Sequence, residues 1–268
     1  MKKLLFGLVL TLAVSSVQAQ VIWFNNMQVA KALAIEKDQL ILMDFWASWC
    51  GPCKTMDKEM WSKEELKELS ERFVPFKVDV DFNRELAMQY NASSIPKVVI
   101  ITVSGEVVWE QTGYSSASPY KKILAQLPKN LNGLNKKLLQ YEEDENYYEI
   151  GLAYQEAGRD LKNDIGSELL RLSSSYFKKA EKKADDEHVV AMASMHRLLN
   201  EVYDGKHKKA MKKVAKVEIG DNAELNDFKN FITAFCYKCE GDEKNYLEAK
   251  KSVKDESYQS LLTNEDNQ

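Results

Sequence analysis

The chain has 268 residues, 41 acidic against 37 basic side chains and a formal net charge of −4; it offers no basic face of the kind phosphate neutralisation requires, which excludes a nucleic-acid partner. With 44% hydrophobic residues it can bury a sizeable core, and its length exceeds one ordinary domain, so two structural units are expected. Beyond the first twenty residues no apolar run approaches the roughly 20 residues a membrane-spanning helix needs, which excludes stable membrane insertion.

Lys2 and Lys3 precede an apolar run over 4–14, and Val17-Gln18-Ala19 places small residues at the −3 and −1 positions of a signal-peptidase site. That pattern predicts a secretory leader over 1–19, cleaved after Ala19, and a periplasmic or secreted protein. Gln20, not a cysteine, follows the cleavage point, so no lipid anchor is expected.

From residue 21 to 127, β-type and helical periodicities alternate as an α/β unit requires. A short strand is expected over 21–24, an amphipathic helix over 27–37 and a central strand over 39–46. The strand runs into Trp49-Cys50-Gly51-Pro52-Cys53. A helix starting there puts Cys50 at its N-terminus, where unpaired N–H groups and the macrodipole favour a thiolate. Ser62-Lys63-Glu64-Glu65 reads as a capping box opening a further helix with Leu66 and Leu69. A strand over 73–80 and a helix over 81–90 follow. The β-rich runs 97–103 and 106–112 are joined by a tight turn at Ser104-Gly105. Gly113 lies just past this hairpin, where a Cβ is expected to be intolerable, and a helix over 118–127 closes the unit.

After Pro128 the β-branched runs vanish and apolar residues settle into helical spacing through Leu262. Helices are expected over 134–141, 146–157, 165–182, 187–203, 206–217, 224–239 and 245–254. The pairs Ala153-Tyr154, Val202-Tyr203 and Ala234-Phe235 each precede a glycine, Gly158, Gly205 and Gly241. This recurrence resembles a degenerate form of the tetratricopeptide class, but the glycines are unevenly spaced, so the expectation for 128–268 is an all-helical array of hairpins.

Residues 41–113 resemble the thioredoxin family. Asp44 stands on the central strand before Trp49-Cys50-Gly51-Pro52-Cys53-Lys54, Ser94-Ile95-Pro96 matches the family's cis-proline loop, and Gly113 matches a late family glycine. The style is that of exported thioredoxin-like domains with a helical stretch after the motif. The resemblance implies an α/β thioredoxin fold, a central mixed sheet flanked by helices, over 20–127. It also implies a protein-disulfide oxidoreductase needing no metal or organic cofactor beyond the redox-active pair.

In the roles it implies, Cys50, nearer solvent, attacks a substrate disulfide, and Cys53, one turn further in, resolves the mixed disulfide. Asp44, an acid on a buried strand, becomes the base for Cys53, with Lys77 as its charge partner. Trp49, Gly51, Pro52, Ile95, Pro96 and Gly113 form the substrate surface, with the Ile95 backbone pairing an extended substrate segment. The Gly-Pro dipeptide resembles that of the reducing members. The implied partners are protein disulfides and a membrane or soluble thiol donor that recycles the pair, with a protein partner on the helical half.

A different class of function is a binding, assembly or chaperone-like protein in which the helical half recruits a partner and redox activity is secondary. The intact motif argues against it. Cys236 and Cys239 form a second Cys-x-x-Cys on one helix face, read as a static disulfide, two buried thiols or a second redox pair. His188, His196 and His207 lack metal-ligand spacing and are read as solvent- or partner-facing. The basic run 206–216 and the acidic run 142–145 are read as solvated faces that could dock onto each other.

Overall fold

The computed structural model describes residues 21–264, so the leader read over 1–19 lies outside the described residues. Four strands, β1 (Leu40–Trp46), β2 (Phe73–Asp79), β3 (Lys97–Ile101) and β4 (Val107–Thr112), form one sheet in the order β2-β1-β3-β4. β1 runs parallel to β2 and antiparallel to β3, and β3 is antiparallel to β4. Flanked on both sides, β1 is buried from Leu40 to Phe45, which is why it reads as an unbroken apolar run interrupted only by Asp44. Helices α1 (Met27–Lys37), α2 (Gly51–Met56), α3 (Glu64–Ser70), α4 (Arg84–Gln89) and α5 (Ser118–Gln126) complete this half.

Local details differ from the sequence expectations for physical reasons. The strand expected over 21–24 is a single parallel bridge between Phe24 and Phe76, because the chain turns at once into α1, where Asn26 Oδ1 accepts the Val29 N–H at 3.1 Å. The capping box is absent. Residues Asp57–Trp61 form a π-helical turn whose C-cap is Ser62, and α3 starts after Lys63 with no side-chain cap. The hairpin turn is wider than expected: Ile101 pairs with Val107, and the Thr102 N–H donates to the Glu106 carbonyl at 3.1 Å. Gly113 has nothing within 4 Å of an added Cβ; its φ of +83° is what favours glycine there.

The other half is helical, with α6 (Leu134–Glu142), α7 (Tyr147–Gly158), α8 (Asp164–Lys183), α9 (Glu187–Tyr203), α10 (His207–Val214), α11 (Ala223–Cys239), α12 (Glu243–Lys250) and α13 (Glu256–Asn264). Side chains of Asn146, Asn163, Asp186, Asn222 and Asp242 each accept an N–H in the first turn that follows, which fixes where α7, α8, α9, α11 and α12 begin. α13 was not among the expected helices; Asp255 Oδ1 accepts the Ser257 and Tyr258 N–H groups ahead of it.

Packing continues across residue 128. One apolar cluster runs from Ile41 and Val99 in the sheet to Leu134, Tyr154, Leu169 and Tyr176 in the helices, and a second joins α9, α11 and α12. The Asp38 carboxylate accepts N–H groups from Leu131 at 2.9 Å, Gly133 at 2.6 Å and Asn135 at 3.2 Å. Tyr176 donates to Glu106 at 2.9 Å.

One surface reading is corrected here. His196 faces neither solvent nor a partner. It is buried, stacked on Phe177 with centroids 5.1 Å apart and bonded through Nδ1 to Gln155 at 2.8 Å; burial lowers its pKa to about 3, which keeps it neutral. The lysines of the basic run are exposed, as a solvated face has them; Lys209 and Lys213 pair with Glu201 of α9, and Lys208 with Glu240 just past α11, rather than with the 142–145 run.

Candidate active site

The C-terminal end of β1 delivers Ala47 and Cys50 to the start of α2. Cys50 and Cys53 are joined in a disulfide, S–S 2.01 Å. Cys50 caps α2, its Sγ accepting the Cys53 N–H at 3.2 Å, and Pro52 sits in the first turn, where no amide proton is needed. The expected difference in exposure is not seen in this oxidised state: each cysteine is 3% exposed. Ala47, Cys50 and Cys53 form a small cluster against which Trp46, Val80 and Ile95 pack. The Ile95–Pro96 peptide bond is cis. The loop it shapes is tied down by the Gly113 N–H, which donates to the Pro96 carbonyl at 2.7 Å, while the Tyr120 hydroxyl donates to the Gly113 carbonyl. Gly113 therefore holds the cis-proline loop from behind.

At the C-terminal end of α2, where the Asp57 N–H donates to the Cys53 carbonyl, lies a charge cluster centred on the buried Asp44. The register of β1 on β2 sets Asp44 directly opposite Lys77, and Lys77 Nζ is 3.1 Å from Asp44 Oδ2. The same ammonium also bonds Asp57 Oδ1 and lies 5.0 Å from the Trp23 ring and 5.3 Å from the Trp46 ring, which line its path with π faces. Asp44 is 2% exposed. Burial pushes its pKa from 3.8 up to about 6; Lys77 draws it down, Asp57 pushes it further up, and the Trp61 indole draws it slightly down. Asp44 Oδ1 and Trp61 Nε1 each lack a partner at hydrogen-bonding distance. A carboxylate poised near 6 can take and return a proton at ambient pH, which is what a resolving thiol needs from a neighbour.

The sequence reading missed Asp57, Trp61 and Trp23. Asp57 stands four residues after Cys53, on the same helix face, but that spacing alone does not set it apart from other surface acids. Trp49 is 66% exposed, its indole N–H donating to Asp81 Oδ2 at 2.9 Å, whereas Trp46 is half-buried against the cysteines.

Cys236 and Cys239 are not joined: Cys236 is a buried thiol whose pKa burial pushes up to about 12, and Cys239 is an exposed one. Among the described residues no group of His, Cys, Asp and Glu could hold a metal ion.

A family model described as thioredoxin matches residues 21–128. Thioredoxin-T of Drosophila melanogaster is 38% identical over 77 residues, covering 29% of this chain and 48% of that protein. Thioredoxin of Bacillus subtilis (strain 168) is 36% identical over 86 residues, covering 32% of this chain and 79% of that protein. The chain thus spans about half the length of the first relative and about four fifths of the second. The crystal structure of thioredoxin NaTrxh from Nicotiana alata is 27% identical, with 41% of this chain and 96% of that one covered and a TM-score of 0.34.

Proposed function

The chain belongs to the thioredoxin family and carries a redox disulfide at Cys50 and Cys53; on that premise we propose that it is exported and reduces protein disulfides. The observation that carries the reading is the reactive pair at the start of α2 together with the buried Asp44 paired with Lys77.

The reaction starts from the dithiol. The Cys50 thiolate attacks one sulfur of a substrate disulfide, forming a Cys50–substrate S–S bond and expelling the other substrate sulfur as a thiolate that picks up a proton. Cys53 then gives its proton to the Asp44 carboxylate and attacks Cys50 Sγ. The Cys50–Cys53 disulfide forms, the second substrate cysteine leaves, and two electrons have passed to the substrate. Lys77 steadies the charged carboxylate between turnovers. Ile95 presents backbone beside the cysteines to an extended substrate, Gly51 leaves the helix start free of side-chain bulk, and Pro52 offers its exposed ring as contact surface. A dithiol donor returns the pair to the reduced state, and the helical half offers a surface for a protein partner. The leader read over 1–19 supports a periplasmic or secreted address.

The test is the reduction potential of the Cys50–Cys53 pair in thiol–disulfide buffers, with Cys50→Ser as control. A value near about −270 mV supports a reductant; one near about −120 mV makes the protein a disulfide donor and overturns the direction. Export is tested separately by N-terminal sequencing of the secreted or periplasmic chain, expected to begin at Gln20; a chain that keeps its first 19 residues in the cytoplasm sinks it.

A further inference from the structure

Two buried polar atoms at the Asp44–Lys77 pair are left over once the bonds of the site have been assigned, one an acceptor and one a donor: Asp44 Oδ1 and Trp61 Nε1. Leaving either of them unpaired in a dry interior costs stability. They are neighbours. The Trp61 indole acts on the Asp44 carboxylate as a donor that draws its pKa down, yet neither atom completes a hydrogen bond in the oxidised chain.

The chain holds Trp61 in this place. The π-helical turn Asp57–Trp61 follows α2 directly and closes with the Ser62 N–H on the Asp57 carbonyl at 2.9 Å. Trp61 is 2% exposed and meets Trp23 edge to face, with ring centroids 5.1 Å apart and planes at 82°. Trp23 in turn faces the Lys77 ammonium. One turn of chain therefore supplies a partner to each member of the buried pair, Asp57 to Lys77 and Trp61 to Asp44. Single π-helical turns of this kind gather at functional sites.

The two carboxylate oxygens are not equivalent. Lys77 occupies Oδ2 at 3.1 Å, so a proton arriving on Asp44 goes to Oδ1. An ionised Oδ1 accepts from an indole N–H, whereas a protonated one presents its own hydrogen and turns that N–H away. The other titratable groups that face Asp44 are Lys77 from β2, Asp57 from the same π-helical turn and Tyr120 from α5, whose hydroxyl burial, with Asp44 behind it, pushes up to about 12. On β3 its neighbour is the apolar Val98.

We propose that Trp61 is a positioning residue for the exchange reaction: its indole N–H donates to Oδ1 of the ionised Asp44 and releases it when the carboxyl takes a proton. The indole thereby sets the pH at which the carboxylate is available as a base. This rests on the reading that Asp44 serves Cys53. The thiol proton moves to Oδ1 as the Cys53 sulfur attacks Cys50 Sγ, the indole bond opens, and it closes again when Asp44 gives the proton up to water.

The test uses the full-length protein with ¹⁵N-labelled indoles. The Trp61 signal is the one lost in Trp61→Phe, a variant that keeps a ring against Trp23. In the oxidised wild type this N–H resonance is expected to move downfield as pH rises, with a midpoint near the Asp44 value of about 6, and to stop titrating in Asp44→Asn. In Trp61→Phe the Asp44 midpoint is expected to rise by about one unit, the worth of one hydrogen bond to a charged group. The reduced protein is then mixed in stopped flow with saturating 5,5′-dithiobis(2-nitrobenzoate), where the second thiolate released reports attack by Cys53. In Trp61→Phe that release is expected to be about fivefold slower than wild type at pH 6 and unchanged at pH 8.5, where the acid is ionised with or without the indole. An indole signal that ignores pH, or that titrates unaltered in Asp44→Asn, overturns the proposal, as does an Asp44 midpoint that stays or falls in Trp61→Phe. A variant slow at both pH values has lost site geometry and overturns the pH-setting role. A midpoint that rises while the second release keeps its wild-type pH profile leaves the indole bond standing but overturns Asp44 as the base, and with it the part given to Trp61 in the reaction.

Discussion

Asp44→Asn is expected to make the oxidised protein more stable at neutral pH, by an amount that follows from the burial of the carboxylate. The pKa of Asp44 is raised from 3.8 to about 6 in the folded chain, so between those values the folded state binds more protons than the unfolded state, and stability falls as pH rises through that window. Below pH 4 the group is protonated in both states and costs nothing extra; above pH 6 the full penalty applies. Two units and a fraction at 1.36 kcal/mol each come to about 3 kcal/mol. Asparagine is neutral and close in shape, so the variant stands in for the protonated acid at every pH. Removing one member of a buried pair ordinarily strands the other, but Lys77 keeps its bond to Asp57 and its place between Trp23 and Trp46. Urea unfolding of wild type and variant from pH 3.5 to pH 8 gives the answer. The two are expected to coincide near pH 3.5 and to diverge to about 3 kcal/mol by pH 7. A variant less stable than wild type at pH 7, or a gap that does not change with pH, refutes the burial argument.

Asp57→Asn removes a charge that raises the pKa of Asp44 and leaves Lys77 to Asp44 alone, so the carboxyl titration followed by NMR is expected to move below its midpoint of about 6; an unchanged or higher midpoint contradicts the shared-lysine geometry. Asp38→Ala strips the acceptor from the Leu131, Gly133 and Asn135 N–H groups and puts a β-carbon residue without side-chain compensation at φ +51°, so a loss of about 2–3 kcal/mol is expected in thermal or urea unfolding, with Asp38→Asn losing less. Native alkylation at pH 7 followed by mass spectrometry is expected to modify Cys239, which lines a cavity of about 590 Å³, and to leave Cys236 untouched until the chain is unfolded, because it is buried and its thiol is held up near pKa 12; equal labelling of both would show the end of α11 to be open.

The sequence announced the strands because each sits inside the sheet or at its edge with the composition that place demands: β1 and β3, buried on both faces, are apolar runs, while β4 at the edge alternates. It announced Cys50, Cys53, Asp44 and Lys77 because a motif and an acid on an apolar strand are visible without coordinates. What it could not announce depends on contacts between distant elements. Asp57 looked like one more surface acid until β2 placed Lys77 within its reach, and the π-helical turn at Asp57–Trp61 has no cap signature to read. Ser62 to Glu65 fitted the letters of a capping box, yet the preceding turn claimed the Ser62 backbone first. His196 was misplaced because nothing local tells a polar residue on an apolar helix face that Phe177, Tyr148 and Phe228 will surround it.

The two halves are joined at one end of the sheet, and that end is the far one. β1 and β3 run antiparallel, with Phe45 beside Lys97 near the disulfide and Ile41 beside Ile101 at the opposite side. The hydrogen bonds to the helices leave from Asp38 and Gln39 before β1, from Thr102 and Glu106 in the loop after β3, both on that opposite side, and from Gln126 at the end of α5. Asn135 closes the joint from the helical side, donating to the Ala34 and Gln39 carbonyls. The helices thus share the core that supports Asp44 without covering Cys50, Ile95 or Phe82. A substitution in this joint should therefore register first in the unfolding free energy of the whole chain, while the exchange chemistry at the other end keeps its geometry for as long as the sheet stays folded.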